Sequence, residues 1–156
     1  MKTIFRAVAM LMGIAATFAV AAVLHAQAGA KSGSVVKVTA KLEHPAPGKD
    51  VVVVHFDVQK PWHIYANPVG NEDFASSQTS VKVVAKVNPK QNVEYPAGKD
   101  YVLLGEKLKI YEGSFDIRAT VEREVGARGA LEAVVRISAC DDKSCLLPDV
   151  IHIPLP

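Results

Sequence analysis

Cysteine and net charge are both scarce in this sequence. Its 156 residues contain two cysteines, which excludes a small domain stapled by several disulfides. Lysine and arginine number 18 against 16 aspartates and glutamates, and Lys2 and Arg6 account for the excess, so the chain beyond them is formally neutral. We therefore expect no binding of nucleic acid through a basic surface. Apolar residues at 49% and charged residues at 22% are instead typical of one folded domain.

Long hydrophobic runs are also rare, since one stretch alone approaches membrane-spanning length. Ala7 to Leu24 is largely apolar, follows a basic segment and precedes Ala26-Gln27-Ala28. This order predicts a secretory signal peptide over residues 1–28 and a mature domain over residues 29–156. An uncleaved anchor is the alternative, because such a run reaches the lower limit for crossing about 30 Å of bilayer. In either case we expect a soluble domain in the periplasm or outside the cell, without lipid binding of its own.

Helical periodicity is lacking beyond this leader, whereas strand patterns recur. Val36 to Leu42 alternates apolar and polar residues, as a half-buried strand does. Pro45 and Pro47 then interrupt the pattern, because proline donates no backbone hydrogen bond. Asp50 to Val58, with four consecutive valines, is typical of a central strand. Further strand-like runs are Trp62 to Tyr65, Thr79 to Val87, Phe115 to Val125, Leu131 to Ala139 and Val150 to Leu155.

These short runs, separated by glycine, proline, asparagine or charged residues, predict an all-β fold. About seven to nine strands in a domain of this size favour an immunoglobulin-like β-sandwich, with a small closed barrel as the alternative. Asn67 to Gln78 and Asn88 to Leu104 are interpreted as long loops. Long loops in compact domains tend to carry function or to be mobile.

Cys140 and Cys145 lie between the last two predicted strands. An exported chain with an even number of cysteines is expected to form a disulfide. Closing a loop of about six residues stabilises a fold by only about 2 kcal/mol, against about 4.7 kcal/mol for a hundred-residue loop. Such a bond in a short polar loop suits exchange with an incoming thiolate. Asp141 and Asp142 disfavour a thiolate while Lys143 favours one, so the residues alone support exchange and a structural staple equally.

Motifs for other chemistry are lacking. A zinc site could combine the cysteines with His63 or His152, but the paired histidine spacing of zinc fingers does not occur. No phosphate loop, nucleophile elbow or paired-carboxylate motif supports a hydrolase or a nucleotide enzyme. We therefore predict no cofactor and no metal.

Two segments carry a family resemblance. Cys140-Asp141-Asp142-Lys143-Ser144-Cys145-Leu146-Leu147-Pro148 resembles a pattern of two cysteines followed by an apolar or aromatic residue and proline. Pro61-Trp62-His63-Ile64-Tyr65-Ala66-Asn67 resembles an aromatic segment near the middle of the same domain. Both belong to the N-terminal periplasmic domain of the thiol:disulfide interchange protein DsbD, and the order of landmarks extends over most of Val36 to Leu155.

The resemblance implies an immunoglobulin-like sandwich whose disulfide accepts electrons from a membrane-embedded donor. It passes them to thioredoxin-like periplasmic proteins, an activity of the protein-disulfide reductase type. Cys140 and Cys145 are then the exchanging pair, and the family pattern favours Cys140 over Cys145 as the sulfur joined to the target. The rival hypothesis is a secreted immunoglobulin-like binding module with a purely structural disulfide.

The resemblance also implies residues that shape the site. A segment near Asp100 to Gly105 corresponds to a family loop that caps the cysteines, with Tyr101 or Leu103 as the shielding side chain. Tyr65 matches a family aromatic near the disulfide, and His63 stands where the family often has an aromatic.

Other side chains near the cysteines have simpler or open roles. Asp142 could relay a proton for the resolving thiol, or it could be a solvated turn residue. Trp62 is expected in the core. Leu146 and Leu147 replace what is often an aromatic and a proline. The family's membrane and thioredoxin-like domains have no counterpart in this sequence, so we expect either that the electron donor is a separate protein or that the scaffold serves another use.

Overall fold

The alternating and β-branched runs of the sequence form strands. A computed structural model describes residues 29–103, 105–124 and 129–156, and residues 31–156 of it form one folding unit. The predicted signal peptide, residues 1–28, lies outside the described residues. The strands of the described residues are β1 Val36–Ala46, β2 Lys49–Val58, β3 His63–Tyr65, β4 Ser80–Val84, β5 Lys90–Glu94, β6 Lys99–Leu103, β7 Glu106–Tyr111, β8 Gly113–Glu122, β9 Leu131–Ile137, β10 Ala139–Cys140 and β11 Asp149–Leu155.

These strands form three open antiparallel sheets rather than a closed barrel. The first sheet has the order β1-β2-β8-β5, the second β11-β9-β4, and the third β10-β3-β7-β6. Strand β9 of the second sheet ends at Ile137, and β10 of the third sheet begins at Ala139. The chain therefore crosses from the second sheet to the third just before the cysteine loop. The predicted all-β, immunoglobulin-like fold is confirmed, with more strands than the expected seven to nine.

The main core lies between the first and second sheets. Residues of β8 and β9 alternate between a buried and a more exposed side, since successive side chains of a strand point to opposite faces, whereas β2 is buried on both faces from Asp50 to Val54. Phe56 of β2 stacks on Phe115 of β8 with ring centroids 4.8 Å apart. Half-buried Trp62 packs against this core, as expected. The fully buried aliphatic residues of the main core include Val52, Val54, Ile117, Val121, Val83, Leu131, Val135 and Ile137.

The turn between β1 and β2 accounts for the prolines that interrupt the pattern. The pairing register of β1 with β2 shifts between Glu43 and Ala46, beside both prolines. Gly48 closes the turn with a φ of 73°, a left-handed conformation that side-chain-bearing residues rarely adopt.

The two predicted long loops have different outcomes. Asn67 to Gln78 contains no strand and one short 3₁₀ helix, Glu72–Ser77. The loop prediction for Asn88 to Leu104 is wrong, because Lys90–Glu94 and Lys99–Leu103 are strands. Both are edge strands with half-exposed side chains, so they lack the apolar alternation of the central strands.

Side chains of the β5 region join the first and second sheets along one side. The Gln91 amide oxygen accepts a hydrogen bond from the Val83 N–H at 2.8 Å, and its NH₂ group donates to the Val83 carbonyl at 3.0 Å. The Val81 N–H donates to the Tyr95 hydroxyl at 3.1 Å. Three backbone groups of edge strand β4 are thereby satisfied by side chains.

Helical structure in the described residues is confined to two 3₁₀ segments, Ser32–Ser34 and Glu72–Ser77. Within that part of the chain, no helix has the length and hydropathy needed to cross a membrane.

Candidate functional site

The two cysteines form a disulfide across a tight hairpin. Cys140 ends β10 and is bonded to Cys145, with their Cα atoms 4.0 Å apart. The Asp141 N–H donates to the Ser144 carbonyl at 2.9 Å, and the Leu146 N–H donates to the Ala139 carbonyl at 2.9 Å. The predicted pairing of Cys140 with Cys145 is therefore present.

Asp141 fixes the shape of this hairpin. Its carboxylate accepts hydrogen bonds from the N–H groups of Lys143 at 2.9 Å and Ser144 at 2.7 Å, as aspartate commonly does in turns. These hydrogen bonds lower the pKa of Asp141 below its usual 3.8. Asp141 is therefore a turn-forming residue with a saturated carboxylate oxygen.

The two cysteines differ sharply in exposure. Cys140 is 2% exposed and belongs to a small apolar cluster with Tyr65, Val69, Leu108 and Ile110. Cys145, on the outer arm of the hairpin, is exposed. An incoming group can therefore reach the Cys145 side of the bond more easily than the Cys140 side.

Tyr65 contacts the buried sulfur directly. Its hydroxyl lies 3.5 Å from Cys140 Sγ and is the donor of this hydrogen bond, because a disulfide sulfur carries no proton. Burial raises the pKa of Tyr65 above 10, so the phenol stays protonated at neutral pH. The Tyr65 ring also stacks on Phe74, with centroids 5.6 Å apart.

His63 lies opposite Cys140 in the sheet. The two residues are paired directly between β3 and β10, which places their side chains on the same face. His63 is 2% exposed, and its Nε2 atom is buried without a hydrogen-bond partner. Burial lowers the pKa of His63 below 6.5, while Glu112, Asp142 and Asp141 partly oppose that shift.

Strand β6 covers these residues. The ring of Tyr101 lies 4.7 Å from the ring of His63, and Leu103 packs against the cluster that contains Cys140. The Tyr101 hydroxyl donates a hydrogen bond to the Asp142 carboxylate at 2.7 Å, which raises the pKa of Tyr101 to about 12. The expected cap segment thus contacts both the disulfide cluster and the cysteine loop.

The chain matches a known protein family over most of its length. The model of the family described as thiol:disulfide interchange protein DsbD, N-terminal, matches residues 32–155. The chain belongs to the DsbD N-terminal family. The cysteine pair of this family member therefore lies in a thiol:disulfide interchange domain.

A solved structure that is similar to this chain at low sequence identity shares its fold. The N-terminal periplasmic domain of ScsB from Proteus mirabilis has a TM-score of 0.53 at 13% identity, over 76% of this chain and 43% of that one. This DsbD N-terminal family member thus spans less than half the length of that ScsB chain. The reduced N-terminal domain of Neisseria meningitidis DsbD has a TM-score of 0.46 at 11% identity, over 78% of this chain and 85% of that one. No curated protein sequence matches the chain.

The geometry brings together the residues that the family resemblance suggested for the disulfide site. His63, Tyr65, Tyr101, Leu103 and Asp142 all lie at or beside the disulfide through the contacts given above. Cys140 and Cys145 form the bond itself. Their chemical roles remain predictions.

Sequence reasoning missed Phe74 and the inner face of β7. Phe74 is the single aromatic residue in the polar segment between Asn67 and Gln78, a signal that could have identified it. Leu108 and Ile110 alternate with lysines, which is the pattern of a strand with one buried face. Among the described residues, no three His, Cys, Asp or Glu side chains come close enough together to hold a metal ion.

Proposed function

We propose that this domain carries electron pairs between periplasmic proteins through the Cys140–Cys145 disulfide, with Cys145 as the sulfur that joins the partner. The observation that supports this most directly is the contrast between exposed Cys145 and 2% exposed Cys140. The family pattern favoured Cys140 for this role. Burial of Cys140 favours the opposite assignment, because thiol–disulfide exchange requires access to the sulfur under attack.

The exchange runs in two halves. In the first, a donor thiolate attacks Cys145 Sγ, the Cys140–Cys145 bond breaks, and Cys140 leaves with the electron pair as a thiolate. The donor's second thiolate then attacks the donor sulfur of the mixed disulfide and releases Cys145. The donor is oxidised to a disulfide, and the domain holds two reduced cysteines.

In the second half, Cys145 thiolate attacks an acceptor disulfide and forms a new mixed disulfide. Cys140 then attacks Cys145 Sγ, which restores the intramolecular bond and expels the acceptor as a dithiol after protonation. Two electrons pass from donor to acceptor in each cycle. The Tyr65 O–H beside Cys140 Sγ stabilises negative charge on the leaving sulfur in the first half.

The partners are proposed by chemical class. Membership of the DsbD N-terminal family supports thioredoxin-like acceptors and a separate membrane-embedded donor. Exposed Leu147 and Val150 follow Cys145 along the chain and offer apolar surface that a docked partner would cover. The predicted signal peptide supports a periplasmic location.

Strand β6 is proposed to shield the disulfide between encounters. Leu103 packs on the buried cluster, and the Tyr101–Asp142 hydrogen bond joins the strand to the cysteine loop. Asp142 is engaged by this bond. Its predicted role as proton relay would require the bond to break first.

Trapping of mixed disulfides tests the proposal. The Cys140→Ser variant keeps the exposed thiol and cannot resolve, so it should accumulate a mixed disulfide with an oxidised thioredoxin-like protein. The matched Cys145→Ser variant should accumulate far less, because its remaining thiol is buried. Non-reducing gel electrophoresis after acid quenching measures both.

A redox titration of the full chain separates exchange from a structural staple. A carrier should titrate near about −200 mV, whereas a potential below about −300 mV is typical of structural disulfides. A reduction potential below about −300 mV, together with no trapping of a mixed disulfide by either variant, would refute the carrier function.

A further inference from the structure

One buried group near the disulfide has no assigned partner. His63 is 2% exposed, its Nε2 atom makes no hydrogen bond, and it is paired across the sheet with Cys140. Burying an imidazole nitrogen without a partner costs free energy, because its hydrogen bond to water is lost and not replaced. Such a group in a site with reacting atoms calls for a role in the chemistry.

The second half of the exchange requires a proton acceptor next to Cys140. The thiolate is the nucleophile, so the buried Cys140 thiol must lose its proton before it attacks the mixed disulfide. Tyr65 contacts the sulfur, but its hydroxyl is a donor and burial raises the pKa of Tyr65. A neutral phenol that already holds its proton does not take another.

The carboxylates around His63 are already engaged. Asp141 accepts hydrogen bonds within its own turn, and its pKa is lowered. Asp142 accepts the Tyr101 hydroxyl at 2.7 Å, and Glu112 accepts a hydrogen bond from the Lys99 ammonium at 2.8 Å. All three face His63 closely enough to act on it electrostatically, and each would stabilise a positive charge on its ring.

We propose that His63 accepts the proton of the Cys140 thiol when Cys140 resolves a mixed disulfide, an inference that rests on the carrier function proposed above. The proton passes from Cys140 Sγ to the neutral imidazole. The resulting thiolate attacks Cys145 Sγ, the bond between Cys145 and the acceptor breaks, and the acceptor sulfur leaves with the electron pair. The imidazolium then returns its proton to the leaving thiolate or to water, so His63 begins the next cycle neutral.

The surroundings of His63 suit this task. Burial lowers its pKa, so the ring is in the neutral, proton-accepting form at pH 7. Glu112, Asp141 and Asp142 then stabilise the imidazolium formed during the reaction. A base whose pKa lies near the working pH is the efficient choice for such a transfer.

The experiment distinguishes the reactions of the two thiols by the order in which they occur. The reduced full chain is mixed with one equivalent of dithiobis(nitrobenzoic acid), and release of the coloured thiolate is followed by stopped flow. The first equivalent reports attack by Cys145, and the second reports resolution by Cys140. His63→Gln and the ring-retaining His63→Tyr are compared with His55→Gln, which alters an exposed histidine on β2.

We expect both His63 variants to slow the second phase at pH 7 by at least about tenfold, within the range typical of general bases, and to leave the first phase within about twofold. In the wild type the second-phase rate should rise with pH below 6.5 and then level. In the variants the rise should move toward the pKa of an ordinary thiol, about 8.5. His55→Gln should match the wild type.

An unchanged second phase in either folded His63 variant would overturn the inference, as would equal slowing of both phases. Failure of the carrier function looks different, because the wild type itself would then release no second equivalent or would trap no thioredoxin-like partner.

Discussion

Two buried polar clusters lie beyond opposite ends of β9, and they are built differently. Before β9, Asp50 forms a salt bridge with Arg123 and accepts a hydrogen bond from Nδ1 of the exposed His44 at 2.6 Å. Arg123 also donates to the Gly129 carbonyl at 3.0 Å. After β9, the side chains around the disulfide leave an imidazole nitrogen unpaired and present a phenol to sulfur.

We interpret the first cluster as stabilising the fold and the second as serving the proposed exchange chemistry. In the first cluster, Arg123 Nε is also buried without a hydrogen-bond partner, but the charges of Asp50 and Arg123 compensate each other, so the pair secures the turn between β1 and β2. In the second, an unpaired nitrogen and a donor on sulfur cost stability but provide groups that can move protons and charge.

Removing Arg123 should produce the largest loss of stability. Arg123→Ala leaves the Asp50 carboxylate buried without its cation, and we expect the free energy of unfolding to fall by about 3 kcal/mol. Urea unfolding of the oxidised chain measures this. Arg118→Ala, which breaks the exposed Arg118–Glu43 pair, is the matched control and should cost less than about 1 kcal/mol. If folded Arg123→Ala also exchanged thiols more slowly than the wild type, the first cluster would affect the chemistry, and the contrast between the two clusters would be wrong.

Tyr65→Phe should change the chemistry more than the stability. The variant loses the donor to Cys140 Sγ, and a hydrogen bond to a charged sulfur is worth about 1.5 kcal/mol or more, so reduction by dithiothreitol should slow about tenfold.

Tyr111→Phe is the control for that change. Its hydroxyl donates to the Pro96 carbonyl at 2.9 Å in the main core, so its loss should lower stability by about 1 kcal/mol and leave the reduction rate unchanged. Equal rates for the two variants would show that the Tyr65 contact with sulfur has no chemical role.

Tyr101→Phe should have the smallest effect. It removes the exposed hydrogen bond to Asp142 and keeps the ring on His63, so β6 separates more easily from the cysteine loop. We expect glutathione to reduce the disulfide about two- to threefold faster, since an exposed hydrogen bond contributes less than about 1 kcal/mol. Asp142→Asn keeps an acceptor and should lie between the variant and the wild type. Slower reduction in Tyr101→Phe would contradict shielding by β6.

Local patterns in the sequence predict the central strands and the disulfide well. The four consecutive valines of β2 and the alternation of apolar and polar residues in β1 match the burial of these strands. Each strand can therefore be recognised from its own residues. The spacing of the two cysteines likewise fits a short hairpin, whose backbone hydrogen bonds join residues within the hairpin itself. These features depend on neighbours in the chain, and the sequence therefore displays them.

The features that could not be predicted depend on distant partners. Strand β5 has few apolar residues and is held by pairing with β8 and by the Gln91 contact to β4, so its own sequence resembles a loop. The salt bridge of Asp50 with Arg123 joins residues far apart in the chain, and neither stands out locally. The unequal exposure of Cys140 and Cys145 likewise depends on β6 and β7, which pack against one cysteine alone.

The amide of Gln91 also bears on how this domain avoids self-association. An edge strand with free N–H and C=O groups is a template on which another chain can add a strand. Because Gln91 and Tyr95 occupy three of those groups on β4, the ladder that a neighbouring molecule could join there is interrupted. One glutamine side chain thus takes the place of a strand partner at Val83, which disfavours pairing of this domain with its own copies along this edge.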